Sequence, residues 1–124
     1  MDKIIWKYVK PISNPKVIID FLAQYNIKLP GKMIQCMIDN NGGRPTCYQF
    51  DTERTSGYVF QSLFSYNVED RCTIYAVYPD MFENTSLFPI GLESAGNIVC
   101  YDQDKQQYVL WNHENDKCEK ILMF

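Results

Sequence analysis

The single histidine, His113, is the side chain best suited to catalysis or metal binding in this chain. A zinc site takes about four nitrogen, sulfur or oxygen ligands, and only Glu114 and Cys118 lie close to His113 in sequence. The cysteines, at positions 36, 47, 72, 100 and 118, include no CxxC pair. Their odd number and spacing fit neither a zinc knuckle nor a disulfide framework. We therefore expect no metal, and we expect most cysteines to be buried in a reducing compartment.

A cysteine–histidine nucleophilic pair is the second chemistry to consider, and it needs hydrogen-bond reach between the two side chains. A hairpin turn at residues 103–106 would set Cys100 opposite Val109 and His113 opposite Gly96. Along strands that rise ~3.3 Å per residue, Cys100 and His113 are then roughly 13 Å apart. This register excludes the dyad and leaves a hydrolase based on His113 and a carboxylate as the weakest hypothesis.

The remaining patterns of chemistry are incomplete. The carboxylate pairs Glu69–Asp70 and Asp102/Asp104 lie in no apolar run that would favour a protonated carboxyl group. Residues 41–45 (NGGRP) contain glycines, but proline removes a donor and no Lys-Ser/Thr follows, as a phosphate-binding loop requires. Residues 6–8 (WKY) could stack on single-stranded nucleic acid, but the patch is short. We therefore expect no cofactor and no nucleic-acid partner.

Charge is unevenly distributed along the chain. Residues 1–34 carry six lysines and two aspartates, or +4, and the rest carries six basic and thirteen acidic residues, or −7. Such a negative field repels phosphates and attracts a basic partner, although a charge run is also typical of a plain solvated surface. If it steers a partner, the acidic surface comprises six residues: Glu69, Asp70, Asp80, Glu83, Asp102 and Asp104.

Length and composition predict one globular domain over residues 1–124, with 46% hydrophobic and 22% charged residues. The longest apolar run is five residues, residues 74–78, whereas a membrane-spanning helix needs ~20. The N-terminus lacks the apolar stretch of a signal peptide. We therefore expect a cytoplasmic protein with no membrane contact.

Two helices are predicted first. Asn14 and Pro15 suit the N-cap and first position of a helix whose apolar stripe runs to residue 25. A second helix spans residues 30–40 and ends at Gly42 and Gly43. Residues 67–70 place two carboxylates at the expected start of a third, short helix.

Strands follow at residues 47–50, 58–63, 87–92, 97–102, 107–112 and 118–124. In the hairpin register above, Ile98 pairs with Trp111 and Tyr101 with Tyr108, so both faces are apolar. A sheet with two apolar faces is covered on both sides. The fold class predicted is α+β, with a central, mostly antiparallel sheet against which the N-terminal helices pack.

Six short segments, taken together and in order, match the pattern of a known family: residues 27–30 (IKLP), 40–43 (NNGG), 63–70 (LFSYNVED), 88–91 (FPIG), 95–102 (AGNIVCYD) and 109–114 (VLWNHE). In order and spacing the chain resembles the SUKH superfamily, whose eukaryotic namesakes regulate yeast cell-wall synthesis. The resemblance implies no cofactor. If the chain is bacterial, the resemblance implies that it is an immunity protein, which binds and blocks a cognate toxin, often a nuclease or deaminase. The alternative is a regulatory adaptor or ligand-binding module without a toxin partner.

The resemblance also gives structural roles to the recurrent residues. It implies that Gly42 and Gly43 end the second helix and that Gly96 and Asn97 make a tight turn. Trp111 would fill the core, and His113 with Glu114 would fix the far end of the hairpin. Asn112 stands where the family usually has aspartate. The C-terminal helix that many members carry is not matched, which favours either a homodimer through exposed apolar surface or a shorter variant of the fold.

Overall fold

A computed structural model describes residues 4–46 and 48–122. Its elements are two helices, α1 (Lys16–Gln24) and α2 (Gly31–Asp39), a 3-10 turn (Ile74–Ala76) and eight strands: β1 (Trp6–Lys7), β2 (Arg44–Pro45), β3 (Gln49–Phe50), β4 (Tyr58–Leu63), β5 (Leu87–Glu93), β6 (Ile98–Asp102), β7 (Gln107–Trp111) and β8 (Cys118–Lys120). The predicted α+β class with a central antiparallel sheet is confirmed. Of the predicted strand residues, Cys47, Met123 and Phe124 lie outside the part described.

The helices form where local sequence predicts them. The Asn14 Oδ1 atom accepts a hydrogen bond from the Lys16 backbone N–H at 3.0 Å, which satisfies a donor that has no partner within α1. Ile18, Phe21 and Leu22 bury one face of α1, and Met33 and Met37 do the same for α2. This apolar spacing holds both helices on the core.

The main sheet has the order β3-β4-β5-β6-β7-β8, and every strand pairs antiparallel with its neighbour in sequence. Between β6 and β7, Ile98 pairs with Trp111, Cys100 with Val109 and Tyr101 with Tyr108, which confirms the predicted register. All five residues of β6 are buried. The sheet is therefore covered on both faces at its centre.

The sheet curls until its two ends meet. Thr52, just after β3, forms a bridge with Ile121, just after β8. The Glu53 N–H donates to the Lys120 carbonyl at 2.9 Å, and the Leu122 N–H donates to the Asp51 carbonyl at 3.0 Å. The separate β1–β2 ribbon lies beside β4, where the Leu63 N–H donates to the Gly43 carbonyl.

The predicted helix start at residues 67–70 is wrong, because these residues form a turn. The Asn67 side chain donates to the carbonyl oxygens of Lys10 and Pro11, and its backbone N–H donates to Ser65 Oγ. Ser65 also bridges to Thr73. Polar side chains thus hold this segment as a loop, and only the 3-10 turn follows. Neither helix, nor that turn, could cross a membrane, considering the residues described.

Candidate functional site

A buried carboxylate lies at the end of β5, next to the histidine considered for catalysis. Glu93 is only 3% exposed, and its two oxygens accept hydrogen bonds from the Ala95 backbone N–H and the Asn97 side-chain amide. The Asn97 Oδ1 atom contacts both the backbone N–H and the Nδ1 atom of His113, at 3.2 and 2.7 Å. The chain Glu93–Asn97–His113 therefore joins the β5–β6 turn to the end of β7.

This geometry fixes the tautomer of His113. Because the Asn97 amide nitrogen donates to Glu93, its Oδ1 atom can only accept, and His113 Nδ1 must carry a proton. The Nε2 atom faces Glu114 at 3.9 Å, and the ring is 43% exposed. His113 is thus held by hydrogen bonds to Asn97, and these bonds connect the end of β7 to the β5–β6 turn.

The other recurrent residues lie around the same hairpin. Gly96 has a φ of +94°, in the left-handed region that favours glycine, and a Cβ there would lie 3.4 Å from the His113 ring. Trp111 is only partly buried and packs against Phe82 with ring centroids 5.2 Å apart. Its indole N–H donates to Asp116. Trp111 therefore borders the core instead of filling it.

None of the four cysteines that the structure describes is hydrogen-bonded to His113. Cys100 is fully buried, and this burial, followed by the nearby Cys118, raises the pKa of its thiol well above the ordinary value. Cys72 and Cys118 are exposed and Cys36 is half-buried, so the prediction that most cysteines are buried is wrong for those the structure describes. Within residues 4–46 and 48–122, no group of three His, Cys, Asp or Glu residues is placed to hold a metal ion.

The six acidic residues predicted for a steering surface have different environments. Asp102 is 8% exposed, and its Oδ1 atom accepts hydrogen bonds from Ser86 and from the backbone N–H groups of Asp104 and Lys105. It holds the β6–β7 turn and presents little charge to a partner.

Four of these residues remain exposed: Glu69, Asp80, Glu83 and Asp104. Asp80 and Glu83 flank Phe82, whose contact with Trp111 anchors their segment on the sheet. Asp104 lies on the β6–β7 turn. Asp70 is half-buried and accepts a hydrogen bond from Ser65. The structure therefore separates the acidic residues into three locations.

Two depressions adjoin the β1–β2 ribbon, one at Trp6 and Pro45 and the other at Arg44. One is an almost wholly apolar groove of about 180 Å³, lined by Ile4, Trp6, Met33, Cys36, Pro45, Tyr48, Phe60 and Leu63. Burial raises the pKa of Cys36 and of Tyr48, which keeps this groove uncharged. Trp6 faces it while Tyr8 is exposed, so the two aromatic rings of residues 6–8 do not form one stacking surface.

The other depression is a charged cleft of about 360 Å³ beside β4. It is lined by Lys10, Gly42, Arg44, Gln61, Ser62, Leu63, Ser65, Glu69, Asp70, Arg71 and Cys72. The acidic pair Glu69–Asp70 thus shares its surroundings with three basic residues. Lys10 and Arg71 are more than 60 residues apart in sequence, so sequence analysis did not predict that they line the same cleft.

Fold and site together define a small α+β domain built on a curled antiparallel meander, with its histidine in a hydrogen-bonded tie between turns. The model of the SMI1-KNR4 cell-wall family, SUKH_6, matches residues 6–122, and the chain belongs to this family. No match was found among the curated proteins or among the solved structures.

Proposed function

We propose that this protein is an immunity protein, which binds a cognate toxin and neutralises it by protein–protein contact. Membership of the SMI1-KNR4 family over residues 6–122 is the observation that supports this function, because the family's bacterial members commonly serve in immunity. The toxin in this proposal is a nuclease or another enzyme that modifies nucleic acid.

The exposed carboxylates supply a means of recognition. A nucleic-acid-modifying enzyme binds phosphates in a basic cleft, and an acidic inhibitor can occupy such a cleft. Asp80, Glu83 and Asp104 are exposed and take part in no ion pair within the part of the chain described. Asp102 contributes indirectly, by holding the turn that carries Asp104.

The direct test is capture followed by co-expression. The tagged protein is used as bait in lysate from its own cells, and the C-terminal domain of any large multidomain protein captured is expressed with and without it. A domain that kills cells alone and is harmless in the presence of this protein establishes immunity. Capture of only signalling or metabolic proteins would favour the adaptor reading instead.

The recognition surface can be tested with charge-matched variants. We expect Asp80→Lys/Glu83→Lys to slow association with the toxin by roughly 10- to 100-fold at low salt, and less at high salt, because steering is screened. The control Asp20→Lys/Asp39→Lys changes net charge equally on α1 and α2. Equal association rates for the two variants would contradict the placement of the acidic surface.

A further inference from the structure

We propose that the charged cleft beside β4 binds an acidic segment of a partner protein through Lys10, Arg44 and Arg71. This contact goes beyond the proposed immunity function, since it has the opposite charge preference to the acidic surface. It holds whichever protein supplies the segment.

The walls of the cleft are fixed by buried hydrogen bonds centred on Asn41, which is 1% exposed. Its amide nitrogen donates to the Lys10 carbonyl at 2.8 Å and to Ser65 Oγ at 3.1 Å, and its Oδ1 atom accepts from the Tyr66 N–H at 2.9 Å. Ser65 Oγ donates in turn to Asp70. Three distant segments are thereby held in one arrangement, so the cleft is preformed for a ligand.

The basic groups of the cleft have no acidic partner within the described chain. In residues 4–46 and 48–122, no lysine or arginine lies within ion-pair distance of a carboxylate, and the one contact of that kind joins His113 Nε2 to Glu114. Arg44 makes one long bond, from Nε to the Gln61 carbonyl at 3.4 Å. The cleft also has two carboxylates: Asp70 accepts a hydrogen bond from Ser65, and Glu69 is exposed to solvent. Three cations and two anions give the cleft a charge of +1 in a chain of net charge −3.

Gly42 keeps the cleft open between Lys10 and Ser65. Its φ is +66°, and a Cβ there would lie 3.0 Å from Lys10 Cγ and 3.3 Å from Ser65 Cβ. A larger residue would therefore push the Lys10 side chain out of its position. Gly42 lies three residues beyond the last residue of α2, so the glycine expected to end that helix instead shapes this site.

The chemistry favours a peptide carboxylate over a small anion. The three cations come from separate segments around about 360 Å³, a volume in the range of pockets that enclose several side chains. Arginine binds carboxylates through two parallel N–H donors, and two arginines here can each hold one acidic side chain. The hydroxyl of Ser65 and the amide of Asn41 are already used within the wall, so they cannot wrap a single phosphate.

The experiment is a titration of the ¹⁵N-labelled full chain followed by NMR, with hexaglutamate as probe. We expect the amide signals of Gly42, Ser62 and Ser65 to shift and saturate. The variant Arg44→Gln/Arg71→Gln should bind about 4- to 25-fold more weakly, since each exposed pair lost costs roughly two- to fivefold. The control variant Lys16→Gln/Lys32→Gln loses the same charge from the helices and should bind as the wild type does.

Three results would overturn the proposal: no shifts at the cleft, shifts spread equally over the surface, or equal weakening by the two variants. Inorganic phosphate that saturates the same signals at the same concentration would also overturn it and indicate a simple anion site. Hexalysine should leave these signals unchanged. The immunity proposal does not depend on the outcome, because co-expression with the toxin measures it separately.

Discussion

The tie between the β5–β6 turn and the end of β7 predicts that Asn97→Ala is among the most destabilising polar substitutions in this protein. The Asn97 side chain is 6% exposed and makes one hydrogen bond to the Glu93 carboxylate and two to His113. Alanine removes all three and leaves Glu93 buried with one donor fewer.

The magnitude follows from the environment of each bond. A hydrogen bond to a charged group contributes about 1.5–3 kcal/mol and a neutral one about 1 kcal/mol. His113 is 43% exposed, so water can replace part of what it loses. We expect Asn97→Ala to lower the free energy of unfolding by about 3 kcal/mol, and Tm by roughly 10–15 °C for a domain of this size.

Urea unfolding followed by circular dichroism measures this loss. His113→Ala is the matched control, because it removes the exposed end of the tie and should cost only about 1 kcal/mol. A double-mutant cycle of Glu93→Ala with Asn97→Ala should show a coupling of about 1.5–3 kcal/mol. A cost below 1 kcal/mol for Asn97→Ala, or no coupling, would show that the network does not hold the hairpin.

Three further predictions test the packing and the titrating groups. Gly91→Ala should cost about 3 kcal/mol or more in urea unfolding, since its Cβ would lie 2.5 Å from a backbone oxygen, whereas Gly31→Ala meets nothing within 4 Å and should be neutral or stabilising. In native protein, iodoacetamide should modify exposed Cys72 well before buried Cys100, as peptide mass mapping would show; similar rates would refute the burial. Burial raises the pKa of Tyr108 from 10.0 to about 12, with smaller contributions from Tyr101 and then Cys36. The Tyr108 hydroxyl therefore ionises at a lower pH in the unfolded chain than in the folded protein. Stability should therefore fall as pH rises from about 10 through 12, in step with tyrosinate absorbance, and a constant urea midpoint over that window would contradict it.

Local patterns were sufficient to predict both helices and the β6–β7 hairpin. The Asn14 cap, the apolar stripes and the polar turn at residues 103–106 each act over a few residues, so the sequence contains the whole signal. The predicted register holds because the position of the turn at residues 103–106 fixes which residues of β6 and β7 pair.

The roles of the buried polar groups were not predicted, and for Asn41 the reason is that its partners are distant in sequence. Asn41 reaches Lys10 and Ser65, which are 31 and 24 residues away. Glu93 ends an apolar strand and reads in sequence as an exposed turn residue, yet its oxygens are enclosed by the turn that follows. Asp102 was predicted to be surface charge because it lies beside a polar turn, although its Oδ1 atom accepts hydrogen bonds from the backbone of that turn.

Closure of the curled sheet restricts how a partner can attach. An open sheet edge offers unpaired backbone groups to any extended chain, which permits both strand addition and aggregation. Here the segments after β3 and β8 satisfy each other through Thr52, Glu53, Ile121 and Leu122. Over this closed part of the described chain, a partner must be recognised by side chains. Surface substitutions there can therefore change which partner is bound without disturbing the strand pairing beneath.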